Sequence, residues 1–408
     1  MRRMPLWRLL LWRLPILLGM AMIAVPAALV YSNALHRMVA SVPIYSDIAL
    51  HGVQPPVILP QLTRRSLLSG SFTHGYATYF GAQFPLLAAA VRMKGQLYWS
   101  MLHQSPTWFI SIGRDDVLYE NGYLDEYCAR DIAAYAPVAE AWAAKLMRMQ
   151  RWYAAQGKVF LYLLTPSKAA IEPETMPLDW PCPASAADRA GFHAAFRAIL
   201  DRAGVNVVDA VETTLRAKDD YPFPSFPPGG THFNKVAAAL AVRQLIGVMT
   251  RAGTWRRMDD FAFSWAMAEP DEVDTDLLDT LNVPYPGMRY RTPAITVRRP
   301  SGKPCSPVVM AQVGGSFAYQ LDKVLDLTAC PPRIELYEYF HNRMALYPGD
   351  RRYPVDPARR AWALLDAAQV VVLEENEQFA ARSQHAAAFY ELVSARIRIE
   401  QLRARSDR

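Results

Sequence analysis

The chain has 408 residues, of which 52% are hydrophobic and 20% are charged, a composition typical of a globular protein with a large core. The formal net charge is +6, but Arg2, Arg3, Arg8 and Arg13 precede the first apolar run, and further arginines lie after Ser394. Because no basic block with interleaved aromatic residues lies between these ends, the composition argues against a nucleic acid partner.

An uncharged apolar run covers residues 14–31, LPILLGMAMIAVPAALVY. At ~1.5 Å per residue, a helix of this length spans about one hydrocarbon core. The arginines lie on its N-terminal side, so the positive-inside rule predicts an uncleaved anchor over residues 1–33 with the rest of the chain outside the cytoplasm. A cleaved signal peptide is the alternative, since Val25-Pro26-Ala27 resembles a cleavage site, although the run is long for one.

The four cysteines are Cys128, Cys182, Cys305 and Cys330. None forms a CxxC pair and no histidine lies at zinc-ligand spacing, so no metal site is expected. Disulfides in an oxidising compartment and buried free thiols both fit this count, and the three possible pairings are equivalent on sequence alone. The chain contains no P-loop or GxGxxG motif, so no cofactor is expected.

Residues 34–105 carry weak periodicity and are interpreted as a membrane-proximal segment that packs on the domain. Residues 106–400 are predicted to form that domain, with an acidic insertion at about 258–290. Apolar runs predict strands at 108–112, 159–164, 205–208, 307–313, 334–337 and 370–373. Helical patterns separate several of them, one capped by Ser185 and closed by Gly204. This alternation predicts an α/β fold with a mostly parallel sheet flanked by helices.

Polar clusters follow several of these strands, where the sites of open α/β sheets collect. Ser316 stands between a strand and a predicted helix, after two glycines that would allow a tight turn. The first N–H groups of that helix would stabilise an oxyanion, so Ser316 is the candidate nucleophile, and a simple helix N-cap is the alternative. His232 lies in a Gly/Thr loop before a helix and is the candidate base that a serine nucleophile needs; a helix-entry role is its alternative.

Several motifs together resemble one family. They are GGSF at 314–317, GTHFN at 230–234, GRDDVLYENGYL at 113–124, LLTPSKAAIEPETMP at 163–177 and VVVLEENE at 370–377. In this order they resemble the SGNH-hydrolase-like, flavodoxin-like domain of the alginate O-acetyltransferase-like proteins. The resemblance implies that Ser316 is the nucleophile and that His232 is its base.

In that family an aspartate two residues before the histidine orients it, but this position is Gly230 here, and the residue before the serine is Gly315. Three explanations stay open. Asp219 or Asp220 replaces the acid, the activity is weak, or the domain has become a binding module. Removal of a triad aspartate costs about four orders of magnitude in rate elsewhere.

The remaining candidate site residues fall in two groups. Residues expected to support the catalytic pair are Thr231, Gly315, Asn234 and Asp220. Residues that could contact substrate are Lys168, Asn376 and Tyr119, the first through its amine and the last by stacking on a sugar ring. A solvated loop lysine and a core-filling aromatic are the alternatives for Lys168 and Tyr119.

The resemblance implies O-acetylation of an exopolysaccharide by a single-pass protein of the bacterial inner membrane, with its domain in the periplasm. Because acetyl-CoA does not reach the periplasm, a multi-pass membrane acyltransferase is the implied source of acetyl groups. The alternatives are a carbohydrate acetyl-esterase, which uses water as acceptor, and a non-catalytic polysaccharide-binding or scaffold subunit.

Overall fold

The computed structural model describes residues 6–36, 50–52, 57–82, 84, 86–253, 258, 260–298, 307–338, 343–354 and 365–406. The chain divides into two compact units. One consists of Met1–Thr107 and Leu278–Gly287, and the other of Trp108–Leu277 and Met288–Arg408.

The first unit is helical. Its helices are α1 (Leu6–His36), α2 (Arg64–Leu68), α3 (Ser71–Ala82) and α4 (Leu87–Leu97), and a π-helical turn, Tyr98–Leu102, follows. The buried Trp99 donates its indole N–H to Pro286 O at 2.8 Å, which ties residues 278–287 to this turn. The interpretation of residues 34–105 as a membrane-proximal segment stays a prediction, and part of that segment lies outside the described residues.

The apolar run at residues 14–31 lies within α1, which begins at Leu6 and so includes Arg8 and Arg13. Among the residues that the structure describes, no helix combines the length and the apolar character needed to cross a membrane. The predicted transmembrane helix is therefore unsupported.

The second unit is built on a seven-stranded sheet. Over the described residues the strands in chain order are β1 (Ile110–Ile112), β2 (Leu118–Glu120), β3 (Val159–Thr165), β4 (Val207–Asp209), β5 (Ala262–Ala268), β6 (Thr292–Arg298), β7 (Val309–Gly314), β8 (Arg333–Glu338), β9 (Arg343–Tyr347), β10 (Arg351–Pro354) and β11 (Val370–Asn376). The main sheet has the order β10-β9-β8-β7-β11-β3-β4, while β1 pairs with β2 and β5 pairs with β6 in separate two-stranded sheets.

The main sheet is mixed, with four parallel and two antiparallel pairings, so most of its pairings are parallel as predicted but not all of them. The four pairings among β8, β7, β11, β3 and β4 are parallel, whereas β9 pairs antiparallel with both β8 and β10. Antiparallel neighbours need only a short turn, and the turn between β9 and β10 spans just residues 348–350. These two short strands were not predicted, since neither carries a long apolar run.

Helices cover both faces of the sheet, and for this reason every residue of β3 and β11 is buried. The helices with both ends described that lie in this unit or begin in it are α5 (Asn121–Cys128), α6 (Ile132–Ala155), α7 (Lys168–Ile171), α8 (Ala186–Ala203), α9 (Ala210–Ala217), α10 (Lys235–Ala252), α11 (Asp276–Thr280), α12 (Ala318–Asp326) and α13 (Gln384–Ser406). Helices α6 and α13 pack on one face and α9 and α10 on the other, with α8 against α6 and α12 against α10.

Local signals explain where these helices begin and end. The Ser185 side chain accepts the Asp188 N–H and starts α8, and Gly204 ends it at a φ of 80°, a conformation that favours glycine. A disulfide joins Cys128, the last residue of α5, to Cys182 in the loop before α8. Cys330 is also disulfide-bonded, so these three cysteines are not buried free thiols.

Candidate active site

Ser316 lies at the carboxyl end of β7, in the short turn that leads into α12. The hydrogen-bond ladder of this turn begins with the Ala318 N–H, which donates to Gly315 O at 3.3 Å. The N–H groups of Ser316 and Phe317 therefore precede the ladder, at the positive end of the helix. Ser316 is partly exposed although the residues on both sides of it are buried. Its side chain is therefore accessible, whereas its two neighbours in the turn are buried.

His232 is positioned by the loop between α9 and α10. Asn234 caps α10, since its Oδ1 accepts the N–H groups of Val236 and Ala237 at 3.0 and 2.9 Å. Its Nδ2 donates to Pro224 O at 2.8 Å, which fixes the start of the loop. His232 is 8% exposed, and its Nε2 lies 2.7 Å from Ser316 Oγ. The structure thus brings the predicted nucleophile and base together, and Asn234 supports them through the backbone.

The carboxylate that orients His232 belongs to Asp276. Its Oδ2 lies 2.7 Å from His232 Nδ1, and its Oδ1 accepts the Thr231 N–H at 2.8 Å. A carboxylate at Nδ1 keeps the proton on that nitrogen, which leaves Nε2 free to accept the Ser316 proton. Ser316, His232 and Asp276 therefore form a serine–histidine–aspartate arrangement, in which Thr231 contributes its N–H.

Gly230 is required by the segment that supplies this carboxylate. A Cβ at position 230 would lie 2.8 Å from Asp274 O and 2.9 Å from Val273 O, closer than atoms can pack. The Leu277 N–H also donates to Gly229 O at 3.1 Å. An aspartate at position 230 would occupy the space through which the chain passes on its way to Asp276.

The expectation that Asp219 or Asp220 replaces the acid is therefore wrong. Both are exposed in the turn after α9, whereas the carboxylate at His232 comes from the predicted insertion at 258–290. That segment is held by Asp274, whose carboxylate accepts the Thr292 hydroxyl at 2.6 Å and whose carbonyl accepts the Tyr290 hydroxyl at 2.8 Å. Sequence analysis missed Asp276 because no local motif marks it; the acidic run DEVDTD before α11 was its one signal.

The residues predicted to contact substrate are buried and engaged with the protein itself. Lys168, 4% exposed, donates its ammonium group to Leu118 O and Pro227 O at 2.9 and 2.8 Å, and burial lowers its pKa. Tyr119, 2% exposed, donates its hydroxyl to Glu172 O at 2.8 Å. Neither presents a free group to a ligand. Lys168 instead ties β2 to the loop that leads to His232.

Asn376 is also engaged in hydrogen bonds with the protein itself. Its Nδ2 donates to Pro166 O at 2.9 Å and its Oδ1 accepts the Gln378 N–H at 3.2 Å, so both ends of the amide are occupied. Glu377 next to it pairs with the buried Arg130 and accepts the Ser167 hydroxyl at 2.5 Å. This network joins the ends of β3 and β11 below the site.

The two glutamates of β11, Glu374 and Glu375, lie on opposite faces of the sheet. Glu374 lies on the same side as Ser316 and accepts the Gly315 N–H, whereas Glu375 accepts the Tyr162 hydroxyl at 2.7 Å on the side of α6. Burial raises the pKa of Glu375 to about 7 and also raises the pKa of Glu374. A pair of carboxylates acting on one glycosidic bond is incompatible with this arrangement.

The arrangement supports acyl chemistry. A hydroxyl bonded to an oriented imidazole is an activated nucleophile, and helix-start N–H groups can stabilise the oxyanion that its attack produces. In the part of the chain that the structure describes, no cluster of three or more His, Cys, Asp or Glu side chains is placed to hold a metal ion.

The fold and these three side chains define an α/β protein with a serine–histidine–aspartate site. Residues 110–306 match the sequence model of a family described as the SGNH hydrolase-like domain of the acetyltransferase AlgX. The predicted resemblance to the alginate O-acetyltransferase-like group is thereby confirmed. The matched range contains His232 and Asp276 and ends before Ser316. No curated protein matches the chain.

Three solved structures are similar to this chain. The O-acetyltransferase domain of Pseudomonas putida AlgJ is 17% identical, with 67% of this chain and 92% of that chain covered and a TM-score of 0.43. Pseudomonas aeruginosa AlgX is 12% identical, with coverages of 70% and 67% and a TM-score of 0.45. Bacillus cereus PatB1 is 11% identical, with coverages of 68% and 98% and a TM-score of 0.40.

Proposed function

We propose that the protein transfers acetyl groups to hydroxyl groups of an extracellular polysaccharide through an acetyl ester on Ser316. The observation that supports this proposal is the chain of two 2.7 Å contacts from Ser316 through His232 to Asp276. The match of residues 110–306 to an acetyltransferase family supports acetyl as the transferred group.

The proposed reaction has two halves. His232 Nε2 takes the proton of Ser316 as Oγ attacks the acetyl carbonyl, and the imidazolium then returns this proton to the leaving group of the donor. In the second half, His232 takes the proton of a sugar hydroxyl, whose oxygen attacks the acetyl-serine, and Ser316 recovers its hydrogen. The N–H groups of Ser316 and Phe317 would stabilise the oxyanion in both halves, and Asp276 would stabilise the imidazolium.

We also propose that this reaction takes place in the periplasm, with a multi-pass membrane acyltransferase supplying the acetyl groups. The disulfide between Cys128 and Cys182 supports an oxidising compartment, since such bonds rarely persist in the cytoplasm. The acetyl supply from the membrane is needed because acetyl-CoA stays in the cytoplasm.

The test uses the full-length protein with p-nitrophenyl acetate as donor and oligosaccharides as acceptors. Wild-type protein should carry an acetyl group on Ser316, detected by intact mass, and should acetylate an oligosaccharide. Ser316→Ala and His232→Ala should lower turnover at least about 10³-fold, as loss of a nucleophile or base does in related triads. Unchanged turnover in both variants would reject the proposal.

Two outcomes distinguish the remaining functions. Release of acetate without transfer to any sugar would identify a carbohydrate esterase, which uses water in the second half of the same reaction. Oligosaccharide binding without acetylation of Ser316 would identify a scaffold subunit. Gly230 does not favour a scaffold role, because Asp276 supplies the carboxylate at His232.

A further inference from the structure

A buried carboxylate lies directly behind the nucleophile. Glu374, 2% exposed, is on β11, the strand next to β7 in the sheet. Its Oε2 accepts the Gly315 N–H at 2.7 Å, and its Oε1 accepts the Thr165 hydroxyl at 2.5 Å. The side chain therefore bonds to the residue that precedes Ser316 and is itself held by the end of β3.

The sequence around the nucleophile makes room for this contact. A Cβ at Gly314 would lie 2.7 Å from Glu374 Oε2 and 2.8 Å from Glu374 Cβ, so any other residue at 314 would push the carboxylate away. Sequence analysis expected these glycines to allow a tight turn. Neither Gly314 nor Gly315 has a positive φ, however, so the backbone conformation of the turn does not require glycine. The glycine at 314 instead lets Glu374 approach.

We infer that Glu374 is a positioning residue for the nucleophile, and this inference rests on the proposed function. By binding the Gly315 N–H, it fixes the turn between β7 and α12 so that Ser316 Oγ stays within hydrogen-bond distance of His232 Nε2. The effect comes from the hydrogen bond and not from the charge. Placement of reacting atoms within a fraction of an ångström is what such a contact supplies, because small misplacements are costly in rate.

The substitutions Glu374→Ala and Glu374→Gln separate the contribution of the hydrogen bond from that of the charge. Alanine removes the acceptor, so kcat should fall about 10- to 100-fold with little change in KM. Glutamine keeps the geometry, since its carbonyl oxygen accepts the Gly315 N–H and its NH₂ group donates to Thr165, whose hydroxyl can also accept. We expect kcat of Glu374→Gln within about threefold of wild type.

Glu375 provides the matched control, because it is equally buried on the same strand but faces α6. Glu375→Ala should destabilise the protein to a similar extent and leave kcat per folded molecule within about threefold of wild type. Thr165→Val serves where Glu374→Ala fails to fold, and it should lower kcat about three- to tenfold, since it removes the contact that holds Glu374.

Turnover is measured with p-nitrophenyl acetate and normalised to the folded fraction. Wild-type kcat in folded Glu374→Ala or Thr165→Val would overturn the inference, and so would a Glu374→Gln variant as impaired as alanine, which would assign the effect to charge. If Ser316→Ala keeps wild-type turnover, the proposed function fails. If Ser316→Ala is inactive while Glu374→Ala is fully active, only the role of Glu374 fails.

Discussion

Replacement of Asp276 by asparagine tests how the acid works. In the structure one carboxylate oxygen accepts the Thr231 N–H and the other faces His232 Nδ1. The Thr231 N–H would hold the amide carbonyl of an asparagine, which turns the NH₂ group toward the imidazole. Since that group can only donate, His232 Nδ1 would become an acceptor and Nε2 would carry the proton. The imidazole could then no longer accept the proton of Ser316.

The expected loss follows from this tautomer exchange. We expect kcat of Asp276→Asn to fall by about 10³- to 10⁴-fold, equivalent to ~4 to 5.5 kcal/mol of transition-state stabilisation, with KM nearly unchanged. The folded state should be little affected, because Asp276 is partly exposed, with its side chain 28% accessible. Steady-state hydrolysis of p-nitrophenyl acetate gives both constants, and thermal unfolding checks the fold.

Asp220→Asn is the matched control, since Asp220 is an exposed carboxylate that sequence analysis considered as a replacement for the acid. Its kcat should equal that of wild type. Asp276 does not orient His232 in this way if folded Asp276→Asn keeps more than about a tenth of the wild-type kcat, or if Asp220→Asn shows the larger loss.

Two predictions concern stability. Gly230→Ala should lower the free energy of unfolding by about 1–3 kcal/mol in urea titration, because its Cβ would meet the backbone of Val273 and Asp274; unchanged stability would mean that this backbone shifts freely. Glu375 has a folded pKa raised to about 7, so it contributes stability that is complete below its unfolded pKa of about 4.3 and is lost as the pH rises through 7. Wild type should thus lose about 3 kcal/mol relative to Glu375→Gln between pH 4.5 and 7, and parallel pH profiles of the two proteins would contradict this.

The sequence predicted the parts of the site that follow from strand order. Ser316 comes after an apolar strand and His232 precedes a helix, and both positions are visible as local patterns. Asp276 is not, because its function depends on the path of a separate segment that packs against Gly230. Residue type alone also misled the assignment of Lys168, since a lysine at a strand end reads as a ligand group until its carbonyl partners are known.

In the fold as well, some elements are predictable from local sequence patterns and others are not. Long buried strands such as β3 and β11 were predicted because helices on both faces require continuous apolar runs. The antiparallel strands β9 and β10 were missed, since short strands at the edge of a sheet carry little hydrophobic signal. The mixed character of the sheet follows from these two strands alone.

Gly230 and Gly314 share one physical explanation, which changes how glycines near this site are interpreted. Neither has a positive φ, so neither is needed for an unusual backbone conformation. Each instead leaves space for a group that the site requires: the backbone that carries Asp276 in one case, and the carboxylate of Glu374 in the other. A glycine two residues before the histidine therefore does not by itself indicate loss of the acid. In this chain it accompanies delivery of the acid by another segment, and the same close packing fixes the histidine and the serine against each other.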